Sequence, residues 1–128
     1  MIDHIGIVVS DLARSRRFYE ACLAPLGLKV LEEAPGFFIL GRGWDEPFLW
    51  VGTLRPTFWS EQHRAAGSPI HLSFSAPDRE AVRVFHAAGV AAGGISNGAP
   101  GPRQTSYPYY AAFVLDPDRN NIEAGVRG

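Results

Sequence analysis

One cysteine, one lysine and one methionine stand in the whole sequence, and the first two scarcities close off classes of chemistry. Cys22, being alone, has no partner for an internal disulfide, so a disulfide scaffold is excluded and a reducing, cytoplasmic setting is expected. Lys29 is the only lysine, which removes lysine-centred mechanisms from nearly every part of the chain. No apolar run approaches the roughly 18–20 residues that a membrane helix needs, and the N-terminus carries no signal-peptide pattern. Neither sign of charge is in excess: the formal net charge is −1 and the arginines are scattered. A nucleic acid or an anionic membrane is therefore not expected as a partner. What remains is a chain of 128 residues with 46% apolar content, the composition of one globular domain with room for a core.

What the chain does contain is its own first half a second time. The shift that carries His4 onto His71 also carries Asp11 onto Asp78, Arg16 onto Arg83, Phe18 onto Phe85 and Ala21 onto Ala88, without a gap. Apolar character persists at Ile5/Leu72 and Ile7/Phe74. An internal repeat sets the architecture before any single residue is interpreted. Residues 2–9 alternate as a strand, Ser10 or Asp11 caps a helix over 11–24, and Pro25 and Gly27 stop it. Extended pieces are expected at 28–33, 36–41 and 47–53. After a connector at 55–67, with a helical turn near Trp59–His63, the unit restarts with a strand at 69–76 and a helix at 78–88 closed by Gly89. Strands at 90–94, 109–115 and 120–126 complete it, with an irregular Gly/Pro-rich loop from Ser96 to Pro108. The fold class is thus α+β: one domain over 1–128 built from two β-α-β-β-β modules, 1–54 and 68–128.

Strand periodicity gives the faces a chemical meaning. His71, Ser73 and Ser75 share one face of their strand, while Leu72, Phe74 and Ala76 share the other, which suits a sheet with a helix on one side and a cavity on the other. His4 takes the matching place in the first module, beside Gly6. Aligning the module ends sets Trp50-Val51-Gly52 against Glu123-Ala124-Gly125, so Glu123 joins the histidines on the polar face. Two imidazoles and one carboxylate hold a divalent ion on one side and leave coordination positions open. His4, His71 and Glu123 are therefore the expected metal ligands. Fe2+ is the first expectation for such a set, with Zn2+, Mn2+ or Ni2+ as alternatives.

Over nearly its whole length the chain resembles the vicinal-oxygen-chelate superfamily of glyoxalases, extradiol dioxygenases and bleomycin-resistance proteins. The resemblance rests on Asp3-His4-Ile5-Gly6-Ile7-Val8-Val9, Phe18-Tyr19, Ile70-His71-Leu72-Ser73-Phe74 and Asp116-Pro117-Asp118-Arg119-Asn120-Asn121-Ile122-Glu123. It implies two modules curling into an open, cup-shaped mixed barrel with the helices outside. It also implies metal ligands at His4, His71 and Glu123. Two departures stand out. Glyoxalase I has a fourth ligand, a carboxylate, where this chain has Trp50. The Asp-Pro-Asp turn is usually followed by glycine, and Arg119 in its place implies strain or a different turn.

Around the ligands, Trp50 is expected to form a cavity wall, and Arg103 to clamp a substrate carboxylate. Tyr110, sharing its face with the small Ala112, is expected to line the cavity as a substrate contact and, with Glu123, a catalytic group. His63 and His86 read as incidental. Exposed edges of half-barrels predict a homodimer, with the site formed within one chain or across two. Three readings of function stay open. The first is a metal-dependent dioxygenase acting on a small molecule with vicinal oxygens. The second is a glyoxalase-type lyase or isomerase, and the third a non-catalytic ligand-sequestering protein.

Overall fold

The computed structural model describes residues 1–54 and 69–128; the expected connector and its turn at Trp59–His63 lie outside them. Module one runs β1 (His4–Val8), α1 (Leu12–Leu23), a 3-10 turn (Ala24–Leu26), β2 (Lys29–Ala34), β3 (Phe37–Gly41) and β4 (Phe48–Gly52). Module two repeats the plan with β5 (His71–Ser75), α2 (Arg79–Ala91), β6 (Ile95–Pro102), β7 (Tyr109–Leu115) and β8 (Asn121–Arg127). Each module folds its strands into one four-stranded sheet, in the orders β1-β4-β3-β2 and β5-β8-β7-β6. In both, the first strand is parallel to the last and the other neighbours are antiparallel. The α+β, two-module fold expected from the repeat is the one observed. The barrel is not closed within one chain: among the described residues β1 and β5 each pair on one side only, so the two sheets stay separate.

Local chemistry explains the helix starts. Asp11 is extended and its carboxylate accepts from the Arg14 N–H, and Asp78 does the same for the Ala81 N–H, each satisfying an otherwise orphaned first-turn donor. Gly27, at φ +86°, ends the turn after α1. Apolar faces of both modules meet in one core. Phe18, Tyr19, Cys22 and Leu23 of α1 and Val82 and Phe85 of α2 are buried with Val51, Val114 and Ile122 from the sheets. His4 and His71 are exposed on the opposite sheet faces, away from the helices. No helix among the described residues is long and apolar enough to cross a membrane.

The second helix and the strand after it depart from expectation. Gly89 does not close α2, which runs on to Ala91. A Cβ at Gly89 would sit 3.3 Å from the Cys22 Cβ and from Val114, so the glycine serves close packing between α2, α1 and β7 instead of termination. The strand expected at 90–94 begins at Ile95 and extends to Pro102, through the stretch expected to be irregular. It is an edge strand with register shifts between Ser96 and Gly98 and between Gly98 and Gly101. Prolines are tolerated at edges and bulges, where no ladder donor is missed.

The Asp-Pro-Asp turn ties module two to module one. Buried Asp116 accepts from Tyr19 Oη of α1 at 2.5 Å, from Asn120 Nδ2 at 2.9 Å, and from the N–H groups of Asp118 and Asn120. Ser10, just before α1, donates to Asp118 at 2.5 Å. Arg119 adopts φ +72°, the left-handed conformation for which glycine is usual. The strain expected from the arginine is therefore present, held in place by the four hydrogen bonds that surround Asp116.

Candidate functional site

The polar face of module two assembles around Glu123. On β8 its partner in register is Ser73 of β5, and Asn121 and Gly125 share its face. Glu123 is 6% exposed, and both carboxylate oxygens are occupied. Oε2 lies 3.0 Å from His71 Nε2. Oε1 accepts from Tyr109 Oη at 2.6 Å, and that hydroxyl also lies 3.4 Å from Ser73 Oγ. A buried carboxylate is tolerable because these donors replace its water. Burial first, and then the bond to Glu123, push the Tyr109 hydroxyl above its ordinary pKa, so it remains a donor at neutral pH.

His71 is held from both sides. Its ring lies 6.1 Å from that of Phe113, 27° from parallel. Its Nδ1 is 3.1 Å from the Asn121 carbonyl oxygen and 3.0 Å from the Asn121 side-chain nitrogen. Asn97, on β6, donates to Asn121 Oδ1 at 3.2 Å. A cavity of about 420 Å³ is lined in part by Ser73 and Tyr109, the hydroxyl of which holds Glu123, and by Ser75, Tyr107, Gly125 and Arg127.

Module one presents a different face. The registers Gly6↔Trp50 and Ser73↔Glu123 place Trp50 at the position equivalent to Glu123, as the sequence alignment of module ends expects. Trp50 stacks on Phe37 with ring centroids 5.7 Å apart and lies along the strand over Gly52, where a Cβ would meet the indole at 2.6 Å. His4 stacks on Phe48 at 4.8 Å, nearly parallel, and its Nδ1 is 2.7 Å from Asp3.

Of the three expected ligands, the fold brings together two. His71 and Glu123 are in contact, whereas His4 stands apart on the other sheet. Among the described residues no group of three His, Cys, Asp or Glu side chains converges within one chain. Tyr110 is corrected. It is 7% exposed in the core, on the helix side of β7, with the guanidinium groups of Arg79 and Arg83 over its ring at 4.8 and 5.5 Å. Small Ala112 and Ala124 mark where α2 packs closely, not where a cavity opens, so the tyrosine that reaches Glu123 is Tyr109. Arg103 does not project as a free clamp. Its Nη2 donates to the carbonyls of Ala99 and Ala111 at 2.5 and 2.7 Å while its guanidinium covers Phe113, stapling the irregular β6 to its neighbour. Sequence reasoning also passed over Asn121 and Asn97; the period-2 pattern of β8 places Asn121 on the face of Glu123.

With this geometry in hand, comparison with known proteins is informative. The family model described as Glyoxalase/Bleomycin resistance protein/Dioxygenase superfamily matches residues 1–124. The chain belongs to this superfamily. Among solved structures of the superfamily, a glyoxalase/bleomycin resistance protein from Albidiferax ferrireducens T118 is 30% identical, with a TM-score of 0.77 over 100% of this chain and 99% of that one. A glyoxalase/bleomycin resistance protein/dioxygenase family enzyme from Burkholderia phytofirmans PsJN is 24% identical, with a TM-score of 0.70 over 97% and 96%. A lactoylglutathione lyase from Agrobacterium tumefaciens is 17% identical, with a TM-score of 0.68 over 98% and 92%, a likeness of fold alone. No match was found among curated proteins.

Proposed function

We propose that this superfamily member is a metal-dependent enzyme whose site is built by two copies of the chain. His71 and Glu123 of one copy and His4 of a second would hold a divalent ion that chelates neighbouring oxygens of a small organic substrate. The observation that carries the reading is the His71–Glu123 pair, with Nε2 and Oε2 3.0 Å apart. Two donors each about 2.1 Å from one ion, at right angles around it, are separated by about 3.0 Å. The donor types also fit: one imidazole nitrogen and one carboxylate oxygen suit Fe2+, Mn2+, Ni2+ or Zn2+. The second copy is supported by the unpaired edges of β1 and β5. Edges of this kind associate by strand pairing, and joining β1 of one copy to β5 of another would set two repeat-equivalent histidines on one face.

Dioxygenase chemistry is the reaction we favour. Two histidines and a single carboxylate form the set that leaves positions free for both substrate and dioxygen. The equivalence of Trp50 to Glu123 leaves that position of β4 without the carboxylate that a glyoxalase-type proton transfer uses. When bound, the metal would act as a Lewis acid on the substrate oxygens. The chain's own contribution is then to hold and shield: Tyr109 fixes one oxygen of Glu123 by a hydrogen bond, Phe113 backs His71, and Trp50 with Phe37 forms an aromatic wall. A glyoxalase-type lyase or isomerase is the second reading, supported by the family alone. Metal analysis of protein purified without added metal, followed by catechol turnover with and without dioxygen, separates them. Dioxygen consumption equal to catechol turnover is expected; no catechol cleavage, together with metal-dependent, dioxygen-independent isomerisation of an α-hydroxycarbonyl compound, would support the lyase reading. Binding of catechol with no turnover under either condition would favour a sequestering protein.

A further inference from the structure

The geometry points to Arg127 as the anchor for a substrate carboxylate, so that the molecule bringing neighbouring oxygens to His71 and Glu123 is an aromatic acid. On the reading of those two residues as the reacting end of the site, Arg127 marks its other end. β8 alternates, so Arg127 shares the face of Gly125 and Glu123 and lies two positions beyond the one and four beyond the other. Its guanidinium lies over the Tyr107 ring at 4.2 Å, and Tyr107 meets Tyr109 edge-on with centroids 5.6 Å apart. The aromatic ring thus holds a cation at the cavity of about 420 Å³ beside Ser73 and Ser75.

Charge decides what this cation takes. Arg79, Arg83 and Arg103 donate to Gly128, to Glu80 and to the carbonyls of Ala99 and Ala111. Among the described residues the Arg127 guanidinium has no carboxylate or carbonyl partner, and it is the one charged side chain in the cavity lining. A single guanidinium with no second cation suits a singly charged carboxylate, whose two oxygens match its fork. Arg127 is exposed, so an acid reaches it without rearrangement.

The span between the two ends is one ring long. Tyr109 pairs in register with Arg127, and its hydroxyl reaches Glu123 Oε1 at 2.6 Å, so a single phenol side chain bridges the two levels of the sheet. Gly125 lies between them, and a side chain there would collide with the Tyr109 hydroxyl; the glycine lets the phenol lie along the strand. A benzene ring beside Tyr109, with vicinal oxygens at one end and a carboxylate at the other, has the matching length and finds aromatic faces and edges to pack on. The clamp expected at Arg103 therefore falls to Arg127, which the alternation of β8 places on the face of Glu123.

Catechol and 3,4-dihydroxybenzoate differ only by the carboxylate. In calorimetric titration of the protein as purified, the acid should bind about tenfold more tightly than catechol, the order expected of one charge-assisted pair. In Arg127→Gln the ratio of the two affinities should fall to about one, and in Arg127→Lys, which keeps the charge and loses the fork, to about three. In turnover the loss should appear in KM for the acid and not in kcat, because the anchor holds substrate equally before and during reaction. Failure of the acid to bind more tightly than catechol in the wild type, or a preference that Arg127→Gln retains, overturns the proposal. Benzoate, a carboxylate without neighbouring oxygens, separates this end of the site from the metal end. Benzoate binding that Arg127→Gln abolishes and Glu123→Gln keeps, in a protein that turns over neither diol, leaves the anchor standing while the metal-enzyme reading fails. Dioxygen-dependent turnover of catechol by a wild type indifferent to the carboxylate means the reverse.

Discussion

The two modules share one backbone plan and present opposite chemistry on their open faces. At the position where β8 carries Glu123, β4 carries Trp50, and at the position of Ser73 on β5 stands Gly6 on β1. Phe37, Phe48 and Trp50 make the module-one face aromatic beside His4, with the exposed Glu32 of β2 on the same face two strands from Trp50. Module two holds His71, Glu123, Tyr109 and Ser73 in hydrogen-bonded contact. The repeat thus gives two like platforms that differ in what they present, one a hydrogen-bonded His–Glu–Tyr row and the other an aromatic surface. On the proposed reading, the His71–Glu123 pair of one module and His4 of the other complete one site where unlike modules of two copies meet.

The sharpest way to break this division is Glu123→Gln, which keeps volume and removes the charge. It should abolish turnover and lower zinc affinity by more than the roughly hundredfold associated with outer partners of a ligand, measured by calorimetry, with the circular dichroism spectrum unchanged. Unchanged affinity would mean that the polar face of module two is not the ligand face.

The next largest effect concerns how the modules are joined. Asp116 gathers four donors, one of them Tyr19 from module one. Asp116→Ala leaves those buried donors without an acceptor and should cost about 2 kcal/mol, read as a lower urea midpoint. The corresponding stretch of module one, Gly41 to Asp45, has no buried carboxylate, and Asp45→Ala should leave the unfolding free energy within about 0.5 kcal/mol.

How much of this was legible in the sequence follows from which interactions are local. The helix caps Asp11 and Asp78, the repeat and the equivalence of Trp50 to Glu123 all follow from short spacings and alternation, and all are observed. The extent of β6 was not legible. Gly and Pro there read as a loop, and only pairing with β7 and the Arg103 staple make a strand of it. Tyr109 and Tyr110 are adjacent and opposite, so choosing between them required knowing which face α2 covers. The separation of His4 from His71 depends on how two sheets are disposed in space, which no spacing along the chain encodes.

Trp50→Glu sharpens the comparison from the other side by giving module one the carboxylate of module two. If Trp50 borders the ion, zinc affinity should rise by about tenfold, the worth of one favourable charge contact of roughly 1.4 kcal/mol. Dioxygen dependence should fall at the same time, since an added ligand fills a position. No change in affinity would place Trp50 on the wall but away from the metal.

The smallest effect is expected at the contact that joins the modules, and it changes with pH. Tyr19→Phe removes one of the four donors to Asp116 and should cost about 1 kcal/mol near neutral pH. Burial, then the negative charge of Asp116, raise the Tyr19 hydroxyl far above its ordinary value. The unfolded chain ionises this group near pH 10, whereas the folded protein does not. A raised pKa gives stability that is full below pH 10 and is lost as pH rises further, at about 1.4 kcal/mol per unit for one group. Phenylalanine has nothing to ionise, so the variant escapes that loss. Urea unfolding should therefore show wild type ahead of Tyr19→Phe at pH 8, the two about equal near pH 11, and the order reversed beyond it. Cys22, whose thiol burial also raises, titrates alike in both proteins and cancels from the difference. A gap that stays constant from pH 8 to pH 11 would show that Tyr19 ionises freely, and with it that the two modules are not sealed together at Asp116.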